Sequence, residues 1–242
     1  METLYDVLDI KNQIESEGFA ILDNIFTDAE IVDLLQVIAQ VDSSRLSDRQ
    51  INDLFAMRQF FKEVPASVNI VFNDKLKSII SEIFGDNFFV VKSIYFDKPE
   101  ASNWFVAYHQ DLSIAVDRKL DLQGFSLWTK KQNTFAVQPP IEILQDNFTI
   151  RIHLDRTNAE NGALKVIPKS HLKGIYRPET IDWSIEVENI CPVEKGGIML
   201  MKPLLLHSSS RTKKRCKRRV IHIEFSRSML PDNLNWAEFI QI

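Results

Sequence analysis

The spacing of apolar residues along the chain changes near residue 88. Before that point, Thr27 followed by Glu30 makes a capping-box signature, and Ile31, Leu34, Leu35 and Ile38 then fall at i, i+3, i+4 and i+7. Leu76, Ile79, Ile80 and Ile83 repeat the spacing between Asn73, a capping residue, and Gly85, a helix stop. Each helix presents one apolar stripe and must pack it against something larger. From FFVVKSIYF (88–96) onward, aromatic and β-branched residues predict a buried strand. Shorter strands are expected at 104–109, about 133–138, 149–155, 163–167, 185–191, 197–202 and 218–226, separated by turn-rich pieces such as NAENG. Many short strands in one stretch predict a sandwich or jelly roll. The reading is one domain over 1–242, mainly β with flanking helices: 1–87 mostly helical support, 88–242 the jelly-roll core.

Two strands alternate cleanly. In TIRIHLD, Ile150, Ile152 and Leu154 point one way, while Thr149, Arg151 and His153 point the other. In RRVIHIEF, Ile221, Ile223 and Phe225 share one face, and Arg218, Val220, His222 and Glu224 share the opposite one. The apolar faces call for helices or a second sheet. The Arg- and His-bearing faces call for a wet, functional interior.

Composition narrows the class without naming it. A 45% hydrophobic and 26% charged chain is ordinary globular material, and its net charge of −4 argues against a dedicated nucleic-acid binder. Cys191 and Cys216 are too few for a disulfide framework and are not spaced as a thiolate zinc site. The opening METLYDVLDIKNQIESEG is acidic and amphipathic, unlike a secretory signal, and no apolar run is long enough to span a bilayer. A cytoplasmic, reducing location and no membrane partner are expected.

The candidate chemistry begins with His-x-Asp. On a strand, residues i and i+2 project to one side, so such a triplet offers an imidazole and a carboxylate to one cation. With one more His it makes a facial triad suited to Fe(II), leaving the opposite face for cosubstrate and oxygen. Two triplets occur, His109-Gln110-Asp111 and His153-Leu154-Asp155, so the motif alone does not choose. In a jelly-roll oxygenase the triplet is early and the third ligand lies on the penultimate strand. Five expected strands separate His109 from His207, enough to close a barrel; only three separate His153 from His207. Arg218 follows His207 by eleven residues, on the polar face of the next strand, where a guanidinium can grip the far carboxylate of 2-oxoglutarate. Ser209 can add a hydroxyl to the same carboxylate. His171, after a Pro-Lys-Ser turn, reads as structural.

Several segments together resemble the phytanoyl-CoA dioxygenase family of Fe(II)/2-oxoglutarate oxygenases, over most of the chain. ESEGFAILDNIFTDAEIVDLL (15–35) is similar to the family's opening helix-strand-helix, and AYHQDLSIAV (107–116) to its iron-binding strand. LDRTNAENGALKVIPKSHLKG (154–174) resembles the pattern L-D-x-x-x-x-E-N-G-x-L-x-V-I-P-x-S-H and is the most specific match. KGGIMLMKPLLLHSSS (195–210) and RRVIHIEF (218–225) are similar to the distal-His and cosubstrate-Arg strands. The resemblance implies a double-stranded β-helix (jelly-roll, cupin-like) core. It also implies iron on His109, Asp111 and His207, with 2-oxoglutarate on Arg218 and dioxygen as cosubstrate. Asp111 stands where halogenating relatives lack a carboxylate, so hydroxylation or a related oxidation of an unactivated C–H bond is implied.

The substrate is read from what remains. Arg151 and His153 on the inward face, with Trp104 beside the triplet, are candidate substrate contacts for a small polar or carboxylated metabolite. Arg151 stands where many relatives carry an aromatic residue. Its alternative role is to neutralise Glu224 or the cosubstrate. Phe105 and Tyr108 add aromatic bulk as pocket lining or core, and Lys98 is a further cosubstrate contact. Seven of nine residues in 211–219 are Lys or Arg. They read as a solvated loop, or else as the docking surface of an oxygenase acting on a protein or nucleic acid. A non-catalytic metal- or metabolite-binding relative is the third reading. The oligomeric state is not readable from the sequence.

Overall fold

The computed structural model describes residues 6–41, 50–51, 54–98, 105–131, 134–211 and 217–242. Along them run α1 (Val7–Glu17), β1 (Phe19–Leu22), α2 (Asp28–Ala39), β2 (Gln50–Ile51), β3 (Leu54–Arg58), α3 (Phe60–Glu63), α4 (Ser67–Val71) and α5 (Asp74–Phe84). The second half contributes β4 (Phe89–Lys98), β5 (Val106–His109), β6 (Ile114–Val116), β7 (Ser126–Lys131), β8 (Thr134–Gln138), α6 (Ile141–Gln145), β9 (Phe148–His153) and β10 (Leu164–Val166). It closes with β11 (Asn189–Cys191), β12 (Ile198–Met201), β13 (His207–Ser209), β14 (Arg218–Ser226) and β15 (Ile240–Gln241). The large sheet has the order β1-β12-β9-β14-β4-β3-β2, with β15 also on β4. A four-stranded sheet, β11-β10-β13-β5, and a three-stranded one, β6-β8-β7, complete an antiparallel double-stranded β-helix.

The helices begin and end where their sequence dictates. Thr27 and Glu30 form the full reciprocal capping box of α2. Asn73 Oδ1 accepts the Leu76 N–H at the start of α5, which stops at Gly85 with φ +92°. The buried stripes of α1, α2 and α5 pack on the outer face of the large sheet, against Ile150, Ile152, Ile221, Ile223 and Phe225. Phe148 stacks between Phe84 (3.6 Å between centroids) and Phe225 (4.6 Å), tying α5 to β9 and β14. With that face sealed by hydrocarbon, Thr149, Arg151, His153, His222 and Glu224 are directed into the barrel.

The first 87 residues supply strands as well as helices: β1 pairs with β12, and β3 extends the large sheet beyond β4. Several expected strands are shorter than read. The 149–155 strand ends at His153, and 185–191 contracts to Asn189–Cys191, because Glu186 is held by Lys173 and Tyr176 in the preceding turn. β6 and β7 carry no period long enough to be read.

Candidate metal centre

His109 ends β5 and His207 begins β13, and the two are direct cross-strand partners with ring centroids 4.2 Å apart. Each ring is held alike, its Nδ1 lying 2.9 Å from the carbonyl two residues back, Ala107 for His109 and Leu205 for His207. A carbonyl only accepts, so each Nδ1 carries the proton and each Nε2 keeps a lone pair. Asp111 stands opposite, with Oδ1 at 4.0 Å from His109 Nε2 and Oδ2 at 3.9 Å from His207 Nε2. Oδ2 is buried without a hydrogen-bond donor. Burial pulls His207 down to about 4, so it is neutral at physiological pH. The Asp111 carboxyl lies well below the usual carboxylate range against the opposing penalty of burial, with the Lys92 ammonium as its standing cationic neighbour. Two imidazole Nε2 atoms converging on an ionised carboxylate fit a divalent cation. His109, with a side chain 41% exposed, leaves an open side for exogenous ligands.

Gln110, the middle residue of the triplet, clamps this corner. Its Nε2 donates to the Gly174 carbonyl (2.9 Å) and the Leu204 carbonyl (2.5 Å), and its Oε1 accepts the Tyr176 N–H (2.9 Å). The Asp111 N–H donates to the Pro203 carbonyl at 2.9 Å. The first two ligand candidates are thereby fastened to the segment that delivers the third.

Asp111, His222 and Glu224 form a second group with metal-like composition. Its hydrogen bonding rules it out as a ligand set. Arg151 Nη1, which only donates, lies 2.9 Å from His222 Nδ1, so the ring proton sits on Nε2 and goes to Glu224 Oε1 at 3.1 Å. Lys92 Nζ lies 2.7 Å from the same Glu224 oxygen. Burial opposes charge on Lys92, but Glu224 and then Asp111 raise its pKa, so an ammonium already neutralises this cluster. The chain Arg151–His222–Glu224–Lys92 forms a polar wall of the barrel.

Arg218 and Lys98 are opposite each other on β14 and β4, both buried. Burial, with repulsion from Arg151, lowers Arg218 to about 9; burial and Arg218 lower Lys98 to about 8. Both are still cations at neutral pH, and an anion would relieve them. Ser209 Oγ, His153 Nε2 and Arg151 Nε are buried without hydrogen-bond partners. These polar atoms beside paired cations suit a small dicarboxylate such as 2-oxoglutarate. The Arg218 guanidinium also donates to the Gly162 carbonyl. Gly162 has φ +84°, and a Cβ there would lie 2.7 Å from the Ser210 oxygen, 3.3 Å from Lys98 Nζ and 3.5 Å from Arg218 Nη1. The close approach therefore demands glycine.

The structure thus gathers His109, Asp111 and His207 at one corner, and Arg218, Ser209, Lys98, Arg151 and His153 within the same barrel. Trp104 lies outside the described residues, as do 212–216 of the basic run. Asp155 is not available to a cation on the His153 side. It accepts from Arg219 Nε (2.8 Å), Nη2 (2.7 Å) and the backbone N–H (2.9 Å), while His153 Nδ1 faces Thr157 Oγ1 at 3.0 Å. Arg151 reaches Glu224 only through His222. Tyr108 turns away from the metal corner, binding Glu188 and packing on Trp183, and Phe105 is exposed, so neither is core. His171 Nε2 meets the Glu15 carbonyl at 3.0 Å, a structural tie to α1. Sequence reasoning missed Gln110 and Gly162, although both lie in the motifs it used. It also missed Lys92, whose signal was a lone charge within FFVVKSIYF.

This fold, with two imidazoles and a carboxylate converging at its mouth, is that of the non-haem 2-oxoglutarate-dependent oxygenases. The chain belongs to the phytanoyl-CoA dioxygenase (PhyH) family, whose model matches residues 14–220. A phytanoyl-CoA dioxygenase domain-containing protein 1 homolog of Caenorhabditis elegans is 22% identical, over 95% of this chain and 93% of that protein. The non-heme alpha-ketoglutarate-dependent carbocyclase SnoK from nogalamycin biosynthesis superposes with a TM-score of 0.69 at 14% identity, covering 93% of this chain and 85% of SnoK. EctD from S. alaskensis, solved with 2-oxoglutarate and 5-hydroxyectoine, gives 0.67 at 16% identity, covering 89% and 74%. Family membership makes the protein a 2-oxoglutarate-dependent oxygenase, with Fe(II) and 2-oxoglutarate as its cofactors. No helix among the described residues is long and apolar enough to cross a membrane.

Proposed function

We propose that the protein is a hydroxylase that binds Fe(II) through His109, Asp111 and His207 and oxidises an unactivated C–H bond of a small polar or carboxylated metabolite. The observation that carries this reading is the matched ring lock, which turns His109 Nε2 toward Asp111 Oδ1 and His207 Nε2 toward the uncapped Oδ2. Fe(II) with 2-oxoglutarate and dioxygen supplies the oxidising power, yielding succinate and carbon dioxide as coproducts. The chain's own residues bind, orient and exclude. Arg218 receives the far carboxylate of 2-oxoglutarate, with Ser209 and Lys98 beside it, and the Arg151–His222–Glu224–Lys92 wall keeps the Asp111 side polar and ordered. The test is an anaerobic titration with Fe(II) and 2-oxoglutarate, followed by visible absorbance. Wild type is expected to develop a metal-to-ligand charge-transfer band that His207→Ala lacks. An unchanged band in folded His207→Ala would remove His207 from the ligand set.

A further inference from the structure

A cavity of about 190 Å³ lies on the Asp111 side of the barrel, at the edge of the large sheet. It opens because β3 leaves β4 at the Arg58–Ile94 pair and β15 joins β4 only at the Ile240–Val90 pair, so residues 91–93 have no strand along that edge. Gln59, at φ +51°, donates to the Ala237 carbonyl (3.1 Å), and the Ala237 N–H donates to Ala115 (2.9 Å), closing the far wall. The cavity is tied to the metal corner through two of its lining residues. Lys92 lines it while its ammonium holds Glu224, and Ser113 lines it two residues after Asp111.

Two ionisable groups face this cavity without a full set of protein partners. Glu238 is only 8% exposed; its Oε1 accepts from Ser93 Oγ at 2.6 Å, and its buried Oε2 has no hydrogen-bond partner. Arg58 is exposed at the rim and makes no side-chain hydrogen bond or ion pair among the described residues. Lys92, the other cation in the wall, is already committed to Glu224. An apolar ligand would leave Glu238 stranded, and a simple carboxylate would face it unpaired. A simple amine would leave Arg58 idle. A ligand with both charges satisfies both groups, and charge-assisted hydrogen bonds are the strong ones.

We propose that this cavity is the substrate site and that it takes a small amino-acid-like zwitterion, its ammonium on Glu238 and its carboxylate on Arg58. The inference rests on the oxygenase reading above and deepens it. The test is calorimetric binding, to protein loaded anaerobically with Fe(II) and 2-oxoglutarate, of the common L-amino acids, their N-acetyl derivatives and their decarboxylated amines. At least one free amino acid is expected to bind, with both of its singly charged derivatives about tenfold weaker or worse. Arg58→Gln is expected to erase the preference for the carboxylate, and Glu238→Gln the preference for the ammonium. Arg58 is exposed, so its variant keeps the test informative if Glu238→Gln fails to fold. Binding of no amino acid, equal binding of the acetylated or decarboxylated forms, or unchanged discrimination in Arg58→Gln would each overturn the proposal. The charge-transfer band on the same samples separates the two readings: a band without amino-acid binding sinks only this inference, whereas no band in wild type sinks the metal reading.

Discussion

Replacing Gly162 by Ala tests the proposed anion pocket without removing a charged group. The residue sits at φ +84°, where an L side chain costs about 1–2 kcal/mol. The added methyl would also lie 2.7 Å from the Ser210 backbone oxygen, a contact that must open for the chain to fold. Lys98 Nζ and Arg218 Nη1, at 3.3 and 3.5 Å, can retreat because they end flexible side chains. Retreat takes them from the place proposed for the dicarboxylate, and moving Gly162 shifts the carbonyl on which Arg218 is anchored. A stability loss of about 2–3 kcal/mol is expected, from left-handed strain and the shift together. Loss of about one charge-assisted hydrogen bond, ~1.5–3 kcal/mol, corresponds to 2-oxoglutarate binding roughly ten- to a hundredfold weaker. Urea unfolding reads the first quantity, and anaerobic titration of 2-oxoglutarate at saturating Fe(II) reads the second. Fe(II) affinity in the absence of 2-oxoglutarate should stay at the wild-type value. A folded Gly162→Ala that binds 2-oxoglutarate as tightly as wild type would refute the placement of the carboxylate beside Arg218.

Three further outcomes follow from the same contacts. Gln110→Leu removes three hydrogen bonds around the triplet and should weaken Fe(II) binding about tenfold, the loss of roughly one hydrogen bond's worth of positioning; equilibrium dialysis against Fe(II) reads it, and wild-type affinity would sink the positioning role. Burial raises Glu238 to about 7 from an ordinary 4.5, so its contribution to stability is present below pH 4.5 and is lost as pH climbs to 7. Glu238→Gln should therefore gain up to about 3 kcal/mol on wild type at pH 8 and little at pH 4.5, with a flat difference in denaturant midpoints counting against it. Lys92→Met strips Glu224 of its ammonium and should cost about 3–5 kcal/mol, while adding Glu224→Gln should recover much of that; equal losses in the single and double variants would show that the pair is not coupled.

What was legible in the sequence is what period and spacing can carry. The alternation in TIRIHLD and RRVIHIEF reported which faces of β9 and β14 are sealed by helices and which look inward, because a sheet covered on one side has no other way to be built. The helix caps at Thr27 and Asn73 were readable for the same reason: their hydrogen bonds span only three residues. Contacts that depend on strands far apart in the chain were not readable. Asp155 belongs to Arg219, 64 residues away, and only the pairing of β9 with β14 puts them together. Glu238 reaches Ser93 across 145 residues, around an opening created where two edge strands stop short. Lys92 showed as an oddity in an apolar run, yet its purpose depends on a partner on β14.

The two histidine groups in the barrel show why residue type and proximity do not by themselves define a metal site. His207 and His222 are both buried, both near Asp111, and both on core strands. They differ in what the backbone offers their rings. β5 is the edge of its sheet, and Leu205 precedes β13, so the Ala107 and Leu205 carbonyls are available to take the Nδ1 protons of His109 and His207. His222 lies in the middle of β14, paired on both sides with β4 and β9, where the ladder uses the neighbouring carbonyls. Its ring finds only side chains, a donor at Nδ1 and an acceptor at Nε2, and both nitrogens are consumed. Strand position therefore selects which imidazoles present lone pairs. The proposed metal-binding pair sits at a sheet edge and a strand entry, and the buried mid-strand histidine is part of the wall.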